Sequence, residues 1–280
     1  MDIVISAIAH RTGSTLVQRI FNRREGTLIW GEHGGLLTRF AEAFALAEKF
    51  CLSGEKEKRR YLASNEKSST WTARMCPSIE SVRKARLHGV RAFLDTMYRE
   101  LRDQHDLIGF KEVRYGREEL QLLQDAYPNA QFILLVRDPV AVWRSMPAWG
   151  RPLDVLIQTY NTHVPAYLEL AQISNYHLIR YEDIVAKRSP AIEALAGLAR
   201  LPREQIEEVI DGKKLRSTRH DVPARDVGRI HRECGVVMNQ LGYPVSRRVE
   251  PPRPGIEADR VLGQLPRDAD LLTDQPHFPT

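Results

Sequence analysis

Residues 2–9 form a short, mostly apolar run rich in β-branched side chains, the pattern of a buried strand. Directly after it, Leu16, Ile20 and Phe21 recur at helical spacing and predict a helix over 15–24, and 27–30 reads as a second strand. Residues 36–50 predict a helix with Ala41, Phe44, Ala45 and Leu46 on one side. A longer helix is expected over 81–105, with Val82, Val90, Leu94, Met97 and Leu101 as its apolar stripe. A strand over 107–113 precedes a helix over 117–126 that Pro128 stops, and 131–136 is the clearest buried strand in the chain. Pro139 opens a helix running to Met146, in the first-turn position where its missing N–H costs nothing. A last strand over 177–180 leads into helices over 190–200, 203–211 and 226–241. Strands alternating with helices predict an α/β domain with a central parallel sheet flanked by helices.

Composition limits the domain to residues 1–245. Residues 246–280 hold six of the sixteen prolines and a single aromatic, Phe278, too little apolar surface for a core, so an extended or disordered tail is expected. Hydrophobic residues at 42% and charged residues at 28% describe an ordinary globular chain. No apolar run approaches the roughly 18 residues of a membrane span. Met1-Asp2 leads straight into the first strand without a basic leader, so the expected location is cytoplasmic. Cys51, Cys76 and Cys234 are odd in number and widely spaced, which excludes a disulfide framework and a zinc ribbon. His163, His177 and His220 have no ligand spacing, so no metal is expected. The net charge of +5 forms no basic stripe and gives no reason to expect nucleic acid. The charge run 55–60 fits two readings, a solvated helix or loop and a lid that closes over a bound anion.

Two segments carry the chemistry. The first strand runs through His10 and Arg11-Thr12-Gly13-Ser14-Thr15-Leu16 into a helix. Backbone N–H groups at a helix start, a close-packing glycine, two hydroxyls and a fixed cation favour a phosphate or sulfate there. A tight turn with a Ser or Thr helix cap would show the same residues. The buried strand 131–136 ends in Arg137-Asp138-Pro139, with Ser145 two helical turns on, a pairing suited to a second phosphate. Two anion sites on neighbouring strand ends suit a nucleotide bisphosphate lying across the carboxyl edge of a sheet.

The loop Arg11 to Leu16 resembles the 5′-phosphosulfate loop of sulfotransferases that use 3′-phosphoadenosine 5′-phosphosulfate (PAPS). Arg137-Asp138-Pro139 with Ser145 is similar to their 3′-phosphate motif. Weaker similarities follow in the family's order: Gly109-Phe110-Lys111-Glu112, Arg180-Tyr181-Glu182-Asp183 and Leu241-Gly242-Tyr243. The resemblance implies a P-loop-like sulfotransferase fold of the bacterial type, with PAPS as sulfuryl donor, no metal, and a hydroxyl of a small molecule, sugar or lipid as acceptor. It implies that Arg11 meets the bridging oxygen of the leaving phosphate, that Thr12, Gly13, Ser14 and Thr15 cradle the phosphosulfate, and that Arg137 and Ser145 hold the 3′-phosphate. Tyr181 matches the tyrosine near adenine. Lys213 to Arg219 stands where family members have a basic segment over the 3′-phosphate, and Arg219 is its candidate, although the usual Arg-Lys-Gly pattern is missing.

Two departures change the expected mechanism. Leu16 stands where the soluble animal enzymes have an adenine-stacking Trp, and Val113 stands where they have the catalytic His. The proton acceptor must lie elsewhere. Carbohydrate-type and several bacterial sulfotransferases use a Glu after the second strand, and Trp30-Gly31-Glu32-His33 supplies Glu32 in that place. A carboxylate within reach of the acceptor hydroxyl can take its proton as the S–O bond forms. Glu32 also fits as a carboxylate at the N-terminus of the next helix. His33, expected to face solvent, is the rival base, and Lys111 fits either a contact to sulfuryl oxygens or an ion pair. Two other functions use the same loop. A P-loop-type small-molecule kinase is opposed by the missing GxxxxGK[ST] lysine and by the Arg137/Ser145 pair. A non-catalytic nucleotide-binding protein would leave Glu32 without a role. The acceptor is set by segments 34–80 and 146–170, where Trp149 is a candidate lining residue and Trp143, on a helix, is expected in the core.

Overall fold

The two most apolar runs, β1 (Ile3–Ala7) and β4 (Gln131–Val136), pair in parallel at the middle of a five-stranded sheet. A computed structural model of the chain describes residues 1–64, 71–73, 75–113, 115–146, 152–212 and 221–246. The remaining strands are β2 (Thr27–Trp30), β3 (Leu107–Glu112) and β5 (Tyr176–Arg180), and the order is β2-β3-β1-β4-β5, all parallel.

A pleated strand points alternate side chains to opposite faces, and both faces are apolar here. Ile3, Ile5 and Ala7 of β1 join Ile133 and Leu135 of β4 on one face, under α1 (Ser14–Phe21), α9 (Ser189–Ala199) and α10 (Arg203–Asp211). Val4 joins Phe132, Leu134 and Val136 on the other. That second face is covered by α2 (Leu36–Ser53), α4 (Ile79–Met97), α5 (Arg117–Ala126), α7 (Leu153–Leu170) and α11 (Ala224–Gln240). Short helices α3 (Glu55–Ala63), α6 (Pro139–Ser145) and α8 (Tyr181–Val185) complete the set. The core residues belong to one compact unit, Met1–Arg247, and the tail expected beyond 246 lies outside the described residues.

The topology locates a crevice. From β1 the chain passes into α1 on one face, whereas from β4 it passes into α6, whose Val140 and Val142 pack on the other. The two loops therefore part between the carboxyl ends of neighbouring strands, the place where open α/β sheets bind ligands.

Three expectations are corrected by packing. The long helix ends at Met97, not His105, and after it Leu101 adopts a left-handed φ of 61° before a 3₁₀ turn, Arg102–Gln104. Its core stripe is Val90, Leu94 and Tyr98, while Met97 and Leu101 are exposed, because Tyr98 takes the next core position by stacking on Phe110 at 5.4 Å. Helix α7 falls in a stretch where the pattern predicts no element: Pro165 breaks the helical signal, yet Tyr160, Val164 and Tyr167 bury enough surface to hold the helix around it. Trp143 is half-buried at the edge of the core, where its Nε1 donates to Asp226 Oδ2 at 3.3 Å. The charge run forms α3, with Lys58 and Arg59 both paired to Glu55, at 2.5 and 2.9 Å. Among the described residues no helix is long and apolar enough to cross a membrane.

Candidate active site

The loop after β1 wraps tightly because two of its residues, Arg11 (φ 67°) and Gly13 (φ 105°), are left-handed. Thr12 is fully buried and donates its hydroxyl to the Ala9 carbonyl at 2.7 Å, which leaves its backbone, not its side chain, for a ligand. Gly13 is the N-cap of α1, and no side chain caps that helix. The Ser/Thr cap considered above is therefore absent, and the positive end of α1 has no side-chain acceptor. Ser14 is buried and Thr15 exposed at the first turn.

The β4 loop closes against this one. Arg137 Nη1 donates to the Arg11 carbonyl at 2.8 Å, and Arg11 Nε donates to both the backbone oxygen and the hydroxyl of Ser145, at 3.0 and 3.2 Å. The Arg137 guanidinium lies 4.4 Å over the Tyr181 ring, and its buried Nε has no hydrogen-bond partner among the described residues. Tyr181 in turn packs against Gly13: a Cβ on that glycine would sit 2.3 Å from the ring. Arg11, Gly13, Arg137, Ser145 and Tyr181, drawn from three strand ends, thus form one contiguous cluster. Asp138 caps α6 by accepting from Val140 N at 2.9 Å, and the Tyr160 hydroxyl donates to the Arg137 carbonyl at 2.7 Å, so the segment that presents Arg137 is rigid.

The loop after β2 carries the carboxylate. Glu32 is 29% exposed and its Oε1 is paired with Lys111 Nζ, a buried lysine near the end of β3. Glu32 does not cap α2. Its N-cap is Gly35, with no side-chain cap, and just ahead of it the fully buried Glu112 has an Oε2 that accepts from Gly35 N at 2.9 Å and His33 N at 3.3 Å. The His33 side chain, expected to face solvent, is only 2% exposed. Its Nε2 is bonded to the Tyr115 hydroxyl at 2.8 Å and its ring stands edge-on to Phe110 at 5.0 Å. Burial and the charge of Glu112 raise the Tyr115 pKa well above the usual phenol range, so that hydroxyl stays protonated. Loop residues 31 and 32 therefore face outward while 33 is anchored inside.

Behind the cluster, Glu182 accepts from Asp138 N at 3.0 Å and from the Tyr243 hydroxyl at 2.9 Å, and Arg180 stacks on Tyr243 at 4.5 Å. The Arg180 to Asp183 and Leu241 to Tyr243 segments thus brace the β4 loop from outside. The sequence singles out these two segments and Gly109 to Glu112 but gives Glu182 and Glu112 no task; their only signal is position at a strand's carboxyl end. Arg219, with residues 213–220, and Trp149 lie outside the described residues.

A family model described as "Sulfotransferase family" matches residues 7–205. No curated protein matches the chain. Among solved structures, the sulfotransferase domain of the olefin synthase from Synechococcus PCC 7002 is 16% identical, with a TM-score of 0.51 over 88% of this chain and 96% of that one. The sulfotransferase domain from the curacin biosynthetic pathway is 16% identical, with a TM-score of 0.48 over 88% and 99%. A sulfotransferase from Mycobacterium avium is 12% identical, with a TM-score of 0.46 over 86% and 77%.

Proposed function

The chain belongs to the sulfotransferase family, and on that premise we propose that it moves the sulfuryl group of PAPS to an acceptor hydroxyl, with Glu32 as general base. The observation that carries this reading is the single cluster of Arg11, Ser145, Arg137 and Tyr181 beside an uncapped helix start. Two guanidinium groups, one with a buried Nε unpartnered among the described residues, suit a polyanion with phosphates at both ends of a nucleoside.

PAPS supplies an activated sulfuryl group attached to a good bisphosphate leaving group. Each side chain then has a task in an in-line displacement, where positioning and charge stabilisation dominate. The amides of residues 12–15 and the positive end of α1 hold the phosphosulfate. Arg11 neutralises charge that develops on the leaving oxygen. Arg137 and Ser145 anchor the 3′-phosphate, and Tyr181 sets the floor beside the nucleoside. Glu32 accepts the proton of the attacking hydroxyl, and Lys111 holds that carboxylate while offering charge to the sulfuryl oxygens. The acceptor is a hydroxyl of a small molecule, sugar or lipid headgroup. We assign the transferase to residues 1–245, with 246–280 as an extension.

Thermal unfolding tests the donor. 3′-Phosphoadenosine 5′-phosphate at a hundred times its Kd stabilises the folded state by about 2.7 kcal/mol. For a domain of this size that raises Tm by roughly 5–10 °C, without Mg²⁺. A larger shift with ATP and Mg²⁺ would favour the kinase.

A further inference from the structure

Lys111 and Glu112 are neighbours on β3, and a strand points neighbours to opposite faces. Both nevertheless act on one loop. Lys111 pairs with the side chain of Glu32, while Glu112 accepts from the backbone N–H of the next residue, His33, and from that of Gly35. The other carboxylate oxygen of Glu112 accepts from Val113 N at 2.8 Å, so a fully buried charge is satisfied by three backbone donors. The His33 ring adds to this anchor, its Nδ1 3.7 Å from Glu112 Oε2 and its Nε2 on Tyr115. Gly34 and Gly35, with φ of 77° and 71°, give the loop a backbone that costs little to deform, so something else must fix it.

We propose that Glu112 is the positioning residue of the base: its buried carboxylate pins the backbone of loop 31–35 to β3 and thereby fixes where Glu32 meets the acceptor hydroxyl. This rests on the reading of Glu32 as general base. Glu112 itself touches neither donor nor acceptor. Its reach is through His33 and Gly35, on either side of the flexible Gly34. The substitution that removes the function with the least change of shape is Glu112→Gln. The amide keeps one accepting oxygen but turns its NH₂ toward backbone N–H groups, so the three bonds cannot all survive.

The test is a double-mutant cycle on release of 3′-phosphoadenosine 5′-phosphate from PAPS, with water as the acceptor. Calorimetric affinity for the bisphosphate and amide hydrogen exchange are measured on the same variants. Glu112→Gln is expected to slow turnover about 10- to 100-fold, the scale of an ångström-level misplacement of a reacting group. Bisphosphate affinity stays within about threefold, and the amides of His33 and Gly35 exchange at least about tenfold faster. Because Glu112 acts through Glu32, adding Glu112→Gln to Glu32→Gln slows the enzyme no further. Full additivity of the two losses, unchanged exchange at His33 and Gly35, or a wild-type rate for Glu112→Gln would overturn the proposal. Loss of bisphosphate binding in Glu112→Gln would also overturn it, by assigning the carboxylate to the fold as a whole. A wild-type rate for Glu32→Gln instead removes the base reading beneath it, an outcome the single mutant reports by itself.

Discussion

Glu32→Gln is expected to lower kcat for sulfuryl transfer by about 10²- to 10⁴-fold, the usual worth of a positioned general base, while binding of 3′-phosphoadenosine 5′-phosphate is kept. Glutamine matches the shape of the carboxylate and can still accept from Lys111, so the loop stays in place and only proton acceptance is lost. Affinity for the bisphosphate is expected to hold or to rise slightly, because the substitution removes a negative charge near an anion and leaves the Lys111 cation uncompensated. Steady-state rates and a product-binding titration on the same variant separate the two effects. Equal losses of rate and product affinity would mean that Glu32 shapes the donor site and does not take the proton. His33→Gln is the matching control for the rival base. With its ring inside the Tyr115–Phe110 pocket, its loss is expected to destabilise the loop rather than remove a proton acceptor.

Gly13→Ala is expected to weaken bisphosphate binding by at least about tenfold and to lower Tm. Two costs add. A φ of 105° is one that L residues rarely adopt, and the new methyl would lie 2.3 and 2.5 Å from two carbons of the Tyr181 ring. That ring is 6% exposed and sits beneath the Arg137 guanidinium, so it cannot retreat without displacing the cation proposed to hold the donor. Overpacking of this kind costs about 1–3 kcal/mol. For a domain of this size that is a fall in Tm of roughly 2–12 °C. In a Tyr181→Ala background the ring carbons that meet the methyl are gone, so the second substitution is expected to cost less there than in wild type. Strict additivity would show that Gly13 is required for its backbone angle alone.

These two residues illustrate what the sequence makes legible. β1 and β4 are readable because both faces of each are buried, and the loops that follow them are readable because the anion binding proposed for them restricts residue types: a glycine where the backbone turns left-handed, arginines where charge must be met. Local chemistry of that sort leaves a local signature. Glu112 leaves none. Its task is defined by the N–H groups of His33 and Gly35, 79 and 77 positions away, and a carboxylate at a strand end looks the same whether it faces solvent or a loop. For the same reason Glu32 fits the start of α2 in sequence, while the structure pairs it with Lys111 of another strand and leaves that helix without a side-chain cap. An isolated loop histidine such as His33 has no visible partner in sequence; Phe110 and Tyr115 supply the pocket only after β3 has paired with β2. At the end of α4 a plausible stripe through Met97 and Leu101 loses to the stacking of Tyr98 on Phe110. Pro165 hides helix α7 from the pattern. In each case the deciding interaction is distant in sequence.

The central claim is that the carboxyl ends of β1, β4 and β5 form one donor site, held together by Arg137. Calorimetric titration with 3′-phosphoadenosine 5′-phosphate, and in parallel with ATP, on wild type and Arg137→Ala tests it most directly. Wild type is expected to bind the bisphosphate without Mg²⁺ and more tightly than ATP. Removing a guanidinium that donates to charged oxygens costs about 1.5–3 kcal/mol, so Arg137→Ala is expected to weaken binding roughly 10- to 100-fold. Preference for ATP with Mg²⁺, or equal affinity of Arg137→Ala and wild type for the bisphosphate, would contradict it.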